Sequence, residues 1–308
     1  MALTLIEAAK LAPDADAVYI EEFAASSDIL RVIPFQDVQG GALPYNREEE
    51  LPGIGFRGVN EAYDESTGII NPQVEVCKIA GGDLDVDRFI VDTQGPGSRS
   101  AHELMKVKSL AQGWTRTFLK GDSSTNPRVF DGLQVRLTGS QLINNNAAGG
   151  PLSLNKLDEL IDAVRNPTHL VMSRSTRRRL TAAGRNTGIG GHINFTQDEF
   201  GRRVDTYCDL PVLIADTNYE DILSFTESSA DGTNVQCGSI YCVSFDEMAV
   251  TGIQGAHAGQ FGISVRDLGE METKPVFRTR IDWYCAIAVL SGRSAARLRG
   301  ITNAPVTV

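Results

Sequence analysis

The feature that most constrains this chain is a long helical pattern, SRSAHELMKVKSLAQGWTRTFLKG, which runs from Ser98 to Gly121. Apolar side chains recur in it at steps of three and four, so they share one face of a helix. They are Leu104, Val107, Ala111, Trp114 and Phe118. A helix of about 20 residues is roughly 30 Å long, which is enough to span a domain. The pattern predicts a helix over residues 98–120 with a single apolar face that packs on the rest of the fold.

Both ends of this helix carry boundary signals. Ser100 and Glu103 have the spacing of a capping box at the start, and Gly121 follows Lys120 at the end. Gly113 in the middle of the helix costs up to about 1 kcal/mol relative to alanine. We therefore expect another element to pack closely against Gly113.

The segment after the helix, FLKGDSSTNPRVFDGL from Phe118 to Leu133, is a polar turn that leads into an apolar pair and Gly132. A long helix that ends in an apolar pair and a Gly-Asp turn, followed by a proline-containing loop that closes on Gly-Leu, resembles a known arrangement. It is similar to the spine helix and following loop of the major capsid proteins of tailed bacteriophages, whose fold is named after the phage Hong Kong 97. The order of the remaining segments, from arm to closing strand, agrees with this resemblance.

The resemblance implies an α+β fold of the phage-capsid type, with a long spine helix, a peripheral domain, an axial mixed α/β domain, an extended hairpin loop and an N-terminal arm. The implied division of the chain is an arm over 1–32, an extended loop over 33–78, the peripheral domain over 79–150, the axial domain over 151–266, and a return to the peripheral domain over 267–308.

The arm begins with a short amphipathic segment, and a second short helix is expected from Ala15 to Phe23. With little apolar content, it cannot form a core alone. We expect it to lie on another surface and to serve as a strap between subunits. Because the body begins within about 30 residues of Met1, we expect scaffolding to be a separate chain or dispensable, unless a propeptide has been removed.

Strand-like runs from Ile29 to Phe35 and from Gln73 to Ile79 enclose a long segment that is rich in Gly, Pro, Asn and Glu. Such an insertion is unusual in a compact domain, and an isolated hairpin is marginal in water. We expect a hairpin that lies on a neighbouring subunit; the alternative is a flexible surface loop. The predicted contact residues near its tip are Leu51, Ile54, Phe56 and Arg57.

The later segments alternate between strand and helix patterns, which is typical of a mixed α/β layer. Leu133–Leu137 is predicted as a strand, and two runs, Ser239–Phe245 and Met248–Gln254, are predicted to form a hairpin. The longest strand candidate is Arg278–Leu290, which alternates a polar and an apolar face.

A cluster of arginines lies on the helix predicted to begin after Ser173. One interpretation is a solvated helix surface. The other is contact with carboxylates of adjacent subunits or with phosphates at an inner wall, since arginine forms forked contacts with both. The arginines predicted to contact another subunit are Arg177 and Arg178.

The sequence contains no convincing catalytic, metal or cofactor site. Asp83, Asp85 and Asp87 alternate on a predicted edge strand, but an EF-hand would need Gly and Glu where Arg88 and Gln94 stand. His102 and Glu103 begin the zinc-protease pattern H-E-x-x-H, but Lys106 replaces its second histidine. We therefore predict no metal, no cofactor and no enzymatic activity.

Composition narrows the function further. A formal net charge of -10 argues against tight general binding of nucleic acid, which needs excess cations, although an acidic inner wall facing packaged DNA is compatible with it. Five cysteines without a C-x-x-C spacing indicate reduced thiols rather than a disulfide framework or a zinc site. No stretch has the length and apolarity of a signal peptide core or a membrane span.

The resemblance implies a major capsid protein that assembles as hexamers and pentamers into an icosahedral head around double-stranded DNA, in the cytoplasm of a bacterial host. The implied partners are the chain itself, a portal, a scaffolding or decoration protein, and DNA bound without sequence specificity. An isopeptide crosslink, known in some members, is not expected, because no lysine lies between Ile33 and Cys77 and only Lys78 lies at the foot of the loop.

Two alternatives remain open. One is an encapsulin, a cellular shell of similar fold that encloses cargo enzymes. The other is a small-molecule enzyme in which the glycine-rich segment Gly252–Gly262 forms a lid over the active site.

Overall fold

The computed structural model describes residues 3–5, 14–95, 97–185, 193–197, 203–216, 220–257 and 260–307. Its helices, in chain order, are α1 Asp14–Ala25, α2 Asp28–Val32, α3 Arg88–Gln94, α4 Gly97–Lys120, α5 Leu133–Arg136, α6 Leu154–Asp162 and α7 Arg174–Gly184, with a short 3-10 turn at Gly139–Gln141. None of these helices is both long and apolar enough to cross a bilayer.

The strands fall into three groups along the chain. The first are β1 Leu3–Thr4, β2 Pro34–Val38, β3 Ala42–Glu50, β4 Ile69–Val76, β5 Lys78–Asp87 and β6 Leu142–Asn144. The next are β7 His169–Met172, β8 Ile193–Gln197, β9 Arg203–Tyr207, β10 Leu210–Ile214 and β11 Gly238–Val243. The last are β12 Val250–His257, β13 Gln260–Phe261, β14 Ser264–Glu270, β15 Val276–Val289 and β16 Ala295–Ile301.

Three sheets organise the described residues. The first sheet has the order β1-β2-β12-β15-β14, with β5 also paired to β15 and β13 to β12. The second sheet has the order β6-β16-β11-β7-β10-β9-β8. Strands β3 and β4 form a separate antiparallel pair. Strand β5 follows the β3–β4 pair in the chain. It is held against the first sheet because it pairs with ten consecutive residues of β15.

The long helix α4 lies on the first sheet through the face that the sequence predicts. Val107, Ala111, Trp114 and Phe118 are buried in the hydrophobic core between α4 and the first sheet, which we call the first core, while Leu104 is only partly buried. The apolar face of β15 meets this helix, and the rings of Trp114 and Trp283 are 5.9 Å apart between centroids. The helix and the strand therefore bury their apolar faces against each other, which explains why both are long.

A glycine pair closes the loop after α4, as the sequence resemblance implies. The amide of Gly132 donates to the carbonyl of Gly121 at 2.9 Å. A Cβ at Gly121 would overlap the carbonyl oxygen of Phe130, and one at Gly132 would lie 2.5 Å from the carbonyl oxygen of Thr117. Glycine is needed at both positions because the backbone returns so closely to the helix end.

Two expectations for α4 are wrong. The helix begins at Gly97, so Glu103 lies in its second turn, where it is buried instead of capping the start. Gly113 is exposed, and a Cβ placed there would meet no atom within 4 Å. The glycine thus leaves open space beside the helix rather than allowing another element to pack closely.

Three strand predictions also need correction. Leu133–Leu137 is mostly the helical turn α5, and Ile29–Phe35 is divided between α2 and β2. The predicted hairpin of Ser239–Phe245 and Met248–Gln254 does not form, because β11 belongs to the second sheet and β12 to the first. The turn between these strands carries the chain from one sheet to the other.

Each of the two large sheets draws strands from several parts of the chain. Strands β12 and part of β14 lie within 151–266 but belong to the first sheet. Strand β16 lies within 267–308 but belongs to the second sheet, between β6 and β11. The closing segment therefore contributes β15 to the first sheet, beside the long helix, and β16 to the second sheet.

The described part of the N-terminal arm packs on its own subunit. Helix α1 lies against α4, where the hydroxyl of Tyr19 donates to Glu103 at 2.9 Å and Lys108 pairs with Glu22 at 3.0 Å. Phe23 is fully buried in edge contact with Trp283, 5.0 Å between ring centroids. The strap between subunits stays a prediction; residues 6–13 of the arm lie outside the described residues.

Candidate assembly surfaces

The stem of the β3–β4 hairpin is anchored to the body by one polar contact group. Glu75 forms a forked ion pair with Arg136, with 2.8 Å between Arg136 Nη2 and Glu75 Oε2. Tyr45 donates to the same carboxylate at 3.3 Å and lies 3.4 Å from the carbonyl of Val289. Burial raises the pKa of Tyr45, and the charge of Glu75 raises it further. These contacts fix where the hairpin leaves the body.

The outer face of the stem is apolar and exposed. Ile70, Val74 and Val76 alternate along β4 and have 63%, 61% and 52% of their surfaces accessible. The opposite face of β4, which includes Glu75, faces the body. Sequence analysis missed this surface, although the alternation of apolar residues along β4 is a signal that could have found it.

Beyond the stem, residues 51–68 form an irregular tip in which every residue is exposed. Its largest apolar side chains have almost no contact with the rest of the subunit, with exposed fractions of 75% for Leu51, 91% for Ile54 and 104% for Phe56. Val59 and Tyr63 extend the same exposed group. The tip is therefore a candidate assembly surface.

The tip holds its shape by local contacts. The amide of Gly58 donates to Glu61 Oε2 at 2.7 Å, and the amide of Gly53 donates to Ser66 Oγ at 2.7 Å. Arg57 lies over the ring of Tyr63, 4.9 Å from its centroid. The four predicted residues Leu51, Ile54, Phe56 and Arg57 therefore all lie on this exposed tip.

The two predicted arginines on α7 differ in their surroundings. Arg177 Nη1 forms an ion pair with Asp205 of the same subunit at 2.9 Å. Arg178 is exposed, and its Nη2 lies 3.2 Å from Ser175 Oγ. Both arginines lie on α7 and the other four predicted contact residues on the hairpin tip, so the six fall on two elements. Arg178 is the more available of the two arginines.

The aspartates of β5 are paired with arginines of β15 rather than gathered into a cation site. Asp83 accepts from Arg280 at 2.7 Å, and Asp85 from Arg278 at 2.6 Å, each through a forked contact. These hydrogen bonds lower the pKa of both aspartates. Across the described part of the chain, no group of three or more His, Cys, Asp or Glu side chains is placed to hold a metal.

The glycine-rich segment is part of the sheet over its described length. Residues 252–257 belong to β12, which lies between β2 and β15. The ring of Phe35 lies directly on Gly252, where a Cβ would overlap it. A buried central strand cannot act as a lid, which removes the feature that suggested a small-molecule enzyme.

No protein-family model matches this sequence, and no curated protein is significantly similar to it. Solved structures do match. The holo-SrpI encapsulin complex from Synechococcus elongatus PCC 7942 superposes with a TM-score of 0.67 at 17% identity, covering 91% of this chain and 89% of that chain.

Two further structures match over a similar length. The capsid of a native GTA particle has a TM-score of 0.61 at 14% identity, covering 90% of this chain and 91% of that one. A chain from Mycobacterium phage Bobi has a TM-score of 0.61 at 11% identity, covering 88% of this chain and 89% of that one. The chain therefore has the phage-capsid fold, which confirms the α+β fold class expected from the sequence.

Proposed function

We propose that this chain is the subunit of a closed protein shell, the major capsid protein of an icosahedral head that encloses double-stranded DNA. The observation that carries the proposal is the fold itself, which matches the capsid of the GTA particle over 90% of this chain and 91% of that chain. The role is structural, since the neighbours in fold are shell proteins. Copies would assemble as hexamers and pentamers.

The exposed hairpin supports assembly as the function. Its tip presents Leu51, Ile54 and Phe56 to water with no partner in their own subunit. Exposure of this much apolar surface is unfavourable for a protein that remains a monomer. In a shell the same residues, with Arg57, would lie on a neighbouring copy, and many modest contacts would sum to a stable closed particle.

The proposal includes further partners. A portal and a separate scaffolding or decoration protein would complete the head, and DNA would line the inner wall without sequence specificity. Arg178 would contact a neighbouring subunit or phosphate. Arg177 would do so only if its ion pair with Asp205 opened. The particle would assemble in the cytoplasm of a bacterial host and be found in the virion.

A second candidate is a shell of the encapsulin kind that encloses cargo enzymes. One observation favours it: the TM-score to the SrpI encapsulin complex, 0.67, exceeds the 0.61 found for the GTA capsid and the Bobi phage chain. The two candidates share the assembly surfaces and differ in what the shell contains.

The test is negative-stain electron microscopy with sedimentation of the purified chain expressed alone. Closed shells, or free hexamers and pentamers, are expected. The ratio of absorbance at 260 and 280 nm after nuclease treatment then reports the content of closed particles, with protected nucleic acid favouring a DNA-containing head. A uniform monomer, even after addition of the proteins encoded beside its gene, would contradict the proposal.

A further inference from the structure

A cleft of about 1640 Å³ separates the stem of the β3–β4 hairpin from the body of the subunit. The stem wall includes Tyr45 and Arg47 of β3, and the body wall includes Arg165, after α6, and Arg293, in the turn between β15 and β16. Pockets for small molecules commonly measure about 300–1,000 Å³. A cleft of this size has room for part of an extended polymer.

Arginines from three elements converge in this cleft. The amide of Arg165 donates to the carbonyl of Arg293 at 2.8 Å, so these two residues are adjacent. Arg47 reaches the same turn from the stem, because a Cβ at Gly292 would lie 2.9 Å from Arg47 Nη2. The guanidinium of Arg47 therefore lies against the backbone that leads into Arg293.

The three arginines have no carboxylate partner in the part of the chain that the structure describes. Elsewhere arginines are held by acidic residues, as Arg136 is by Glu75. Within the described ranges, by contrast, the side chains of Arg47, Arg165 and Arg293 form neither an ion pair nor a hydrogen bond. Their charges are available to an anion from outside the subunit.

The carboxylates that line the cleft do not balance these charges. Glu48 follows Arg47 in β3, and successive side chains of a strand point to opposite faces. Accordingly Glu48 is exposed, whereas Arg47 is partly buried. Only Glu247, on the body wall, remains against the three arginines, while Ser140 and Ser291 add neutral hydrogen-bond donors. The cleft is therefore cationic, although the whole chain is acidic.

These groups suit phosphates along a polymer better than they suit bases. Guanidinium groups form forked contacts with phosphate. Tyr45 is the one aromatic residue among those that line the cleft, and its hydroxyl already contacts Glu75 on the body side of the stem. A nucleic acid in the cleft would thus be held by its backbone and not by stacked or hydrogen-bonded bases.

We propose that this cleft binds the phosphodiester backbone of DNA through Arg47, Arg165 and Arg293. The inference rests on the proposed DNA-containing shell and names the residues that meet its nucleic acid. A chain with a net charge of -10 can bind DNA only where cations are concentrated locally, and the cleft provides such a place. Because few phosphates are neutralised, the contact is weak, independent of sequence and sensitive to salt.

The first test measures binding of a fluorescent mixed-sequence duplex to the full chain, as free subunits or capsomers, by anisotropy at several salt concentrations. A variant with Arg47→Gln, Arg165→Gln and Arg293→Gln should bind about tenfold or more weakly at low salt. The slope of log affinity against log salt should become shallower by about 2 to 3, because each phosphate contact contributes about 0.9.

The matched control removes the same number of charges outside the cleft. Arg88→Gln, Arg116→Gln and Arg266→Gln change three exposed arginines, each of which is held by a carboxylate of the subunit. This variant should keep the salt slope of the original chain. Equal weakening in both variants would show that the attraction is general and would overturn the inference. Melting temperatures identify any variant that is misfolded.

The second test adds a cation to the cleft. Ser140 is exposed and lines it, so Ser140→Arg should tighten DNA binding and steepen the salt slope by about 1. Thr138→Arg, at an exposed position of the same segment outside the cleft, is its control and should have a smaller effect. Equal effects of the two changes would contradict a site in the cleft.

Competition separates DNA from free phosphate as the source of the bound groups. Polyphosphate should displace the duplex, whereas inorganic phosphate at the same ionic strength should not, since a polymer places several phosphates in the cleft at once. If inorganic phosphate displaces the duplex as effectively, the cleft is a site for single anions and the inference fails.

The outcomes distinguish this inference from the proposed function. If the original chain forms no capsomers or shells in sedimentation, the shell function itself fails. If shells form but the chain does not bind the duplex, only the DNA site fails. If the cleft variant is folded but no longer assembles, while the control variant does, the arginines meet carboxylates of a second copy, which also overturns the inference.

Discussion

At the scale of single residues, a buried carboxylate joins three elements that are far apart in sequence. Glu103 on α4 is 8% exposed and accepts hydrogen bonds from Tyr19 on α1 and from Thr279 on β15, the latter at 2.7 Å. Arg99 completes the group at 3.2 Å from the carboxylate. Buried charges of this kind are tolerated only when they are fully paired.

We expect Glu103→Ala to lower the free energy of unfolding by about 3 kcal/mol, because Tyr19, Thr279 and Arg99 would each lose an acceptor within the core. Glu103→Gln keeps an acceptor of the same shape and should lose less. Urea unfolding of the free subunit measures both changes. A loss below about 0.5 kcal/mol for the alanine variant would show that this contact group contributes little to stability.

The paired aspartates of β5 predict how stability depends on pH. Hydrogen bonds from Arg280 and Arg278 hold the pKa of Asp83 and Asp85 below the usual value of about 3.9. Their contribution is therefore present above about pH 4 and is lost as the pH falls through the lowered values in the folded state.

In the variant with Asp83→Asn and Asp85→Asn, stability should decline less steeply below about pH 4 than in the original chain. Near neutral pH the stability of this variant should differ little from that of the original chain, because both ion pairs are exposed to solvent. Melting temperatures of the free subunit between about pH 2 and pH 7 would measure this. If the melting temperatures of the two proteins fell equally steeply below about pH 4, the pairs of Asp83 and Asp85 would not be the source of this pH dependence.

At the scale of elements, the hairpin separates into a part that serves the subunit and a part that does not. The stem is held by Glu75 and Arg136, but residues 51–68 contact the body so little that they are exposed throughout. Removing the tip should therefore leave the core unchanged. The exposed apolar side chains of the tip would be removed from water only when another molecule covers them.

We expect replacement of residues 51–68 by a two-residue Asn-Gly turn, which suits a tight hairpin, to leave the melting temperature of the subunit within a few degrees of the original. Closed particles should be lost, since the contact to the neighbour is removed. Electron microscopy and sedimentation report the assembly, and circular dichroism reports the fold. Normal particles from this variant would refute the assembly role of the tip.

At the scale of the whole molecule, the two sheets share their cores. Val171 and Tyr241 on the second sheet belong to the first core. Their neighbours Leu170 and Cys242 belong to a second core, which lies between this sheet and α6. The second sheet is therefore packed on both faces, once against α6 and once against the part of the molecule that contains α4. Neither core can lose its packing without exposing strands of the other.

We expect the free subunit, such as the variant without the tip, to unfold in a single calorimetric transition. Leu157→Ala, in the second core and fully buried, should lower the free energy of unfolding by about 2–5 kcal/mol and move that transition as a whole. Two transitions of which only one shifts would show that the two sheets unfold independently.

Much of this architecture is encoded locally and could be predicted from the sequence. The length and apolar face of α4 follow from its periodicity, and the alternation along β15 follows from its pattern of charged and apolar residues. The hairpin is predicted from the length and composition of the segment, but its first strand is β3 Ala42–Glu50 and not the predicted Ile29–Phe35. Its exposed tip residues Leu51, Ile54 and Phe56 can be found because they are apolar without an apparent partner.

The tertiary structure alone decided where these elements pair. Strands β11 and β12 are neighbours in sequence but join different sheets, and β16 returns to the second sheet, because strand partners depend on contacts across long separations. The same holds for the burial of Glu103 and for the open space at Gly113, whose surroundings come from α1, β5 and β15. Local sequence determines which segments are helices or strands, but only the packed chain determines which surfaces remain uncovered for another copy.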